Sequence, residues 1–279
     1  MTEWSRETLW RQGSLLQADA IDALKLKHPE APNDTVIIVA THDCDLAQDP
    51  DVEPGIEVVV GRILPEKGNG NCTHAKNTRK LHLAFAGDAP VWVELEASSK
   101  TTIDKNDLAP FSPREDVVLT PESHAIFQIW LASRYRRAAF PDEFNRRIKD
   151  VSKLAEKITK EVKKHGDLIA GVFFDVDGGE DIARNGPDDT YTLDIIILHA
   201  AEPDPIAAED AATGAAAVIE KAFKNKLFTA GTGWQHIELR SCDAVSEEVL
   251  SYREFKLLKR WQLEYVSLAA DPQQPVLAE

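Results

Sequence analysis

The chain has 279 residues, 43% hydrophobic and 28% charged, with a formal charge of -15 at pH 7. That length suits two ordinary domains, and the balance is that of a soluble globular protein, not a disordered one. The charge opposes non-specific attraction to nucleic acid or anionic membrane, no apolar run approaches the ~20 residues of a membrane span, and the few cysteines make no disulfide framework. The expectation is therefore a cytoplasmic protein with reduced thiols and no membrane association.

Residues 4–28 mix tryptophans and leucines at partly helical spacing and predict a short helix or two before His28-Pro29. VIIVA (36–40) and IEVVVGRIL (56–64) read as buried β-branched strands side by side in one sheet, separated by a polar loop. PEKGNGNCTHAKNTRK (65–80) has loop composition and leads to the strands LHLAF (81–85) and VWVELEA (91–97). Thr120 and Pro121 are an N-cap and first-turn pair for the helix HAIFQIWLASRYRRA, with Ile126, Trp130 and Leu131 facing the core. Ile148, Val151, Leu154, Ile158 and Val162 predict one long amphipathic helix from about Asp142 to His165.

LIAGVFFDV (168–176) and YTLDIIILHA (191–200) read as paired strands around an acidic loop, followed by a helix at 207–226, a strand at 234–241 and a closing helix at 246–268. The acidic loop places Asp175, Asp177 and Asp181 at calcium-loop spacing, but Glu180 and Gly186 stand where that loop needs Gly and Glu, so no EF-hand is expected. The fold class is α/β or α+β, mixed sheets covered by helices in two parts joined by the long amphipathic helix. The parts are an N-terminal α/β module (1–141), the connecting helix (142–166) and a C-terminal ββαβα module (167–279).

The most chemically loaded stretch is the end of the first strand, Thr41, His42, Asp43, Cys44 and Asp45. Open α/β sheets place ligands at such strand ends. Cys44 is a candidate nucleophile, with His74 or His82 as base. His42 and Cys44 with Cys72 and His74 form a candidate zinc set. Asp43 and Asp45 are candidate Mg2+ ligands, with Lys76 as the neighbouring catalytic lysine. Against all three stands a bland account, in which a buried cysteine packs as a small hydrophobe and the aspartates bond loop N–H groups.

Two basic clusters run against the acidic background. His74, Lys76, Arg79, Lys80 and His82 gather without an acid among them, as a phosphate-binding loop does. Arg134, Arg136, Arg137, Arg146, Arg147 and Lys149 surround Tyr135, Phe140 and Phe144, offering either guanidinium forks with stacking faces or an ordinary solvated helix surface.

The motif VIIVATHDCDL with KNTRKLHL and WLASRYRRAAFPDEF resembles a family of uncharacterised bacterial and phage proteins whose strand ends in Ser/Thr-x-x-Cys-Asp-Leu/Ile, matched here by Thr41, Cys44, Asp45 and Leu46. The resemblance covers about the first half of the chain and brings no activity with it; its company with mobile elements implies phage–host conflict. The leading expectation is a protein that binds a phosphate-containing ligand, nucleic acid or nucleotide, between Asp43, Cys44, Asp45 and the loop of residues 74–82, and hydrolyses it if metal sits on the acidic side. The rival is a structural or interaction protein, with a zinc-tied strand end and a protein partner on the acidic second half, where residues 151–279 carry 14 Lys+Arg against 23 Asp+Glu.

Overall fold

Five adjacent apolar residues cannot alternate between core and solvent, so VIIVA requires a strand covered on both faces. The computed structural model, which describes residues 4–133, 135, 140–180, 182–250 and 258–261, shows that arrangement. Val36 and Ile38 of β1 (Thr35–Val39) join a cluster with Leu81, Leu83, Phe127 and Trp130, while Ile37 and Val39 face a second cluster with Trp10, Ile21, Leu46 and Leu108.

The chain divides into two units between Arg136 and Arg137. In the first, α1 (Ala18–Leu24) precedes β1, and α2 (Asp43–Leu46) follows it. Strands β2 (Gly55–Ile63), β3 (Lys80–Phe85) and β4 (Val91–Asp104) complete a wholly antiparallel sheet of order β1-β2-β4-β3. A register shift between Val59 and Gly61 bends the β2–β4 ladder. Gly61 is required there, because a Cβ would lie 2.4 Å from the Glu94 carbonyl oxygen. Residues 13–16 cover the outer edge of β1 through Gly13 N–H to Val39 O and Leu16 N–H to Ile37 O. After α3 (Lys105–Leu108), α4 (Pro121–Ser133) lays Phe127 and Trp130 on the sheet, with the Thr120 hydroxyl accepting from Ser123 N–H as its cap.

The second unit begins its described part with α5 (Asp142–Arg146), a π turn (Arg147–Val151) and α6 (Leu154–Lys163). Strands β5 (Ile169–Val176) and β6 (Tyr191–His199) form an antiparallel pair, and α7 (Pro205–Leu227) crosses over so that β9 (Ile237–Ser246) lies parallel to β6. A two-residue pair, β7 (Phe228–Thr229) and β8 (Gly233–Trp234), closes the turn after α7, and β10 (Lys259–Arg260) adds to β5, giving the order β10-β5-β6-β9. Alternate burial along β6 marks one face packed on α5, α6 and α7 through Phe144, Ile158, Val162, Ile219 and Phe223.

Sheets covered by helices are thus present, the first antiparallel and the second mixed, but the single long helix of residues 142–165 is not. Lys153 takes the left-handed conformation (φ 56°), and the Ser152 hydroxyl bonds back to Ile148 O, which ends one segment and starts another. Nor is this stretch a mere connector, since Phe144, Ile148, Leu154, Ile158 and Val162 are core residues of the second unit. Residues 246–250 of the expected closing helix finish β9 and turn, residues 259–260 are a strand, and residues 251–257 and 262–268 lie outside the described residues, as do Arg134, Arg136, Arg137 and Asp181.

Candidate functional site

A cleft of about 720 Å³ opens in the first unit at the end of β1. Sheet register builds its floor: Glu57 of β2 lies opposite Thr102 of β4, and Val59 opposite Lys100, so all four side chains share one face. One wall comes from the turn after β1 (Thr41, His42, Asp45), the other from α4 and the residues after it (Gln128, Trp130, Leu131, Ala132, Tyr135).

A polar frame fixes the turn. Ala40 N–H donates to Glu57 O, and Glu57 N–H donates to the Thr41 hydroxyl at 2.6 Å. Gln12 donates from its side chain to Ala40 O (2.7 Å) and accepts from Gln128 (2.8 Å). His42 is the N-cap of α2, its Nδ1 accepting from Cys44 N–H at 3.2 Å. A neutral imidazole that accepts at Nδ1 carries its proton on Nε2, which leaves His42 a donor there. Asp43 accepts from Gln12 N–H at 2.8 Å, and Cys44 is exposed. Below the turn, the buried Lys105 ammonium donates to Asp45 O and Gln48 O, satisfying carbonyls at the end of α2. Burial lowers the Lys105 pKa, opposed by the charges of Glu53, Asp45 and Asp49.

Within the cleft, Lys100 Nζ stands 2.9 Å from Glu57 Oε1 and 5.7 Å from the Tyr135 ring centroid. Partial burial alone would lower the Lys100 pKa, but the Glu57 hydrogen bond and charge outweigh it and hold it above the ordinary lysine value. The remaining charged lining groups, Asp45 and Glu53, are exposed carboxylates.

Of the motif at the end of β1, then, Thr41, His42 and Asp45 line the cleft, while Asp43 ties down the N-terminal segment. None of His74, Lys76, Arg79, Lys80 and His82 is a lining residue. Instead the basic loop is built into the sheet. Ala75 sits in the core cluster under α4, Lys76 is 2% exposed, and Asn77 Oδ1 accepts from Arg79 N–H and Lys80 N–H. His82 accepts from Asn69 N–H at Nδ1 and therefore donates from Nε2 to Glu94 at 2.9 Å. Lys80 and Arg62 complete a set of three basic side chains around that one buried carboxylate. The hydrogen bond from His82, then those from Lys80 and the charges of Lys80 and Arg62, override burial and bring the Glu94 pKa down to about 2.

Among the described residues, no group of three or more His, Cys, Asp and Glu side chains is placed to hold a metal ion. His42, Cys44, Cys72 and His74 are accordingly not gathered as a zinc set, and the carboxylates around Asp43 and Asp45 do not form a metal cage. Of the described residues of the second basic cluster, Arg146 and Arg147 pair with Glu143, and Phe140 and Phe144 lie in the core. Cys242 is a core thiol, pushed up to about 12 by burial. No protein-family model matches the chain, and neither a curated protein nor a solved structure is similar to it. No helix among the described residues is long and apolar enough to cross a membrane.

Proposed function

We propose that the first unit is a small-molecule-binding module whose ligand sits in the cleft at the end of β1. One observation carries this reading: a cleft of about 720 Å³ gathers charged side chains from the α2 turn, β2 and β4 over an apolar floor and wall of Val59, Trp130 and Leu131. Ligand pockets commonly span about 300 to 1,000 Å³ and combine apolar lining with a few convergent polar groups. The test fills the space. Ala132 is exposed on α4 and lines the cleft, so Ala132→Trp obstructs the site without entering the core. Thermal shifts of the full chain are measured with nucleotides, short oligonucleotides and small amines. The reading expects a saturable shift that disappears in the variant, and a shift of equal size in both proteins would overturn it.

A phosphate-containing ligand is the second reading, favoured by the donors Lys100, Tyr135 and His42 on one cleft. Saturable binding of ATP or an oligonucleotide that is lost in both Ala132→Trp and Lys100→Ala supports it. Hydrolysis is assayed in the same samples.

A further inference from the structure

We propose that Asn185 is a site of spontaneous conversion to isoaspartate, and that the conversion releases the loop of residues 184–190 from Arg147. The modification consumes only water, and it is independent of the cleft.

The sequence contains Asn-Gly twice, at Asn69-Gly70 and at Asn185-Gly186. In such a pair the main-chain nitrogen of the glycine, losing its proton, attacks the asparagine Cγ. A C–N bond forms, the Cγ–Nδ2 bond breaks, and ammonia leaves with the proton, closing a succinimide ring. Water then opens the ring. Cleavage at Cγ yields aspartate, and cleavage at the main-chain carbonyl yields isoaspartate, whose main chain runs through Cβ and Cγ. Glycine permits the attack because it has no Cβ to crowd the nitrogen.

The structure separates the two pairs. Asn185 and Gly186 are both exposed, and among the described residues neither the Asn185 carboxamide nor the Gly186 N–H has a hydrogen-bond partner. No bond of either reacting group has to break before the ring closes. Space is open there as well, since a Cβ built on Gly186 meets no atom within 4 Å. Its φ of 77° is left-handed, so the turn itself selects the residue that leaves the carboxamide unguarded. Asn69 is held instead. Its Oδ1 accepts from Asn71 N–H at 2.9 Å as an N-cap, its own N–H donates to His82 at 2.8 Å, and Gly70 is buried. That contact ties Cγ to the N–H one residue beyond the nitrogen that would attack it. Asp177-Gly178, which can close the same ring, is likewise engaged, because Arg184 and Thr192 bind the Asp177 carboxylate.

What flanks the pair determines the consequence. On one side, Arg184 donates to Asp177 and Asp189, and Asn185 N–H donates to Asp189 Oδ2 at 2.8 Å. On the other, Gly186 O accepts from Arg147 at 2.9 Å, and Pro187 O accepts from His236 N–H at 2.6 Å. A main chain lengthened by one methylene between these anchors cannot keep both sets. The new carboxylate also repels Asp189, whose Oδ2 already takes the Asn185 N–H.

The full chain is incubated in mildly alkaline buffer, folded or in urea, and its peptides are separated and weighed. In the folded chain Asn185 should convert roughly fivefold or more faster than Asn69, the scale of the N-cap that must break first at Asn69. In urea the two rates should draw together. As Asn185 converts, hydrogen exchange should show falling protection of the His236 and Tyr191 amides, which bond to Pro187 O and His236 O. Asn185→Gln aged in parallel should keep that protection.

Equal rates in the folded chain, or faster conversion at Asn69, overturn the site, and this result needs no variant to fold. Conversion at Asn185 with both amides still protected overturns the release of the loop. The same loss of protection in aged Asn185→Gln overturns it too, since the loss then has another origin.

Discussion

Each unit has a buried charge that gathers partners from several segments, and these two hubs have opposite sign. In the first unit, Glu94 receives His82, Lys80 and Arg62 across three strands. In the second, the fully buried Arg147 donates to Glu143 Oε1, Asp189 O, Gly186 O and His236 O, and stacks on Tyr191 at 5.1 Å. The Glu94 hub joins charged side chains that already sit on regular strands. The Arg147 hub joins mostly backbone, stitching the acidic loop of residues 177–190 to the start of β9, with Arg184 clasping Asp177 and Asp189 beside it. The contrast teaches that Lys80 and His82 of one basic run, and Arg147 of the other, are engaged inside the fold. In both, the cations nearest the core hold the fold.

The sharpest way to break the contrast is to remove the guanidinium. Arg147→Ala should destabilise the chain by about 3 to 5 kcal/mol, because it leaves three buried carbonyls without their donor. Arg147→Lys should recover only a small part, since a single ammonium cannot reproduce a fork directed at three carbonyls. Denaturant unfolding checks the size, and hydrogen exchange should show lost protection in β6 and β9 with β1 and β2 unchanged.

Glu94 provides a smaller effect with a distinct pH signature. Its folded pKa of about 2 lies below the ordinary glutamate value of about 4.3. A depressed carboxylate pKa stabilises the fold fully above the unfolded value and loses that contribution as pH falls toward the folded one. The native chain should therefore exceed Glu94→Gln by about 3 kcal/mol at neutral pH. That gap should close between about pH 4.3 and 2. A constant difference across that window would show that packing, not ionisation, sets the role of Glu94.

The same distinction explains what was legible in the sequence. VIIVA, IEVVV and IIIL announced buried strands because β-branched runs have few other places to go, and the Thr120-Pro121 start of α4 was readable from local chemistry. The second half of β4 was not, since SSKTTID has strand geometry but no apolar alternation. The break at Ser152 and Lys153 was masked by apolar spacing that continues across it, although Val151 is in fact 41% exposed. The polar turn at the end of β1 was legible, but the lysine that shares its cleft is Lys100 and not the nearby Lys76. Register places Lys100 opposite Val59, two residues along β2 from Glu57, and no local pattern reveals a pairing set by strand order and a register shift. A single glutamate within the apolar run IEVVVG was the available hint.

The smallest expected effects separate the two most conspicuous residues of the opening motif. His42→Ala removes the acceptor for Cys44 N–H and should lower stability by about 1 kcal/mol, while His42→Asn, which keeps a capping oxygen, should recover most of it. Cys44→Ala changes an exposed side chain and should stay within about 0.5 kcal/mol of the native chain. The pair also sharpens the assignment of the cleft, because His42 lines it and Cys44 does not. Binding in the cleft should therefore respond to His42→Asn, which replaces the Nε2 donor with an amide, and be indifferent to Cys44→Ala. Thermal shifts of both variants with the nucleotides, short oligonucleotides and small amines that probe the cleft read this directly. A binding loss in Cys44→Ala as large as in His42→Asn would move the site from the cleft to the outer face of α2.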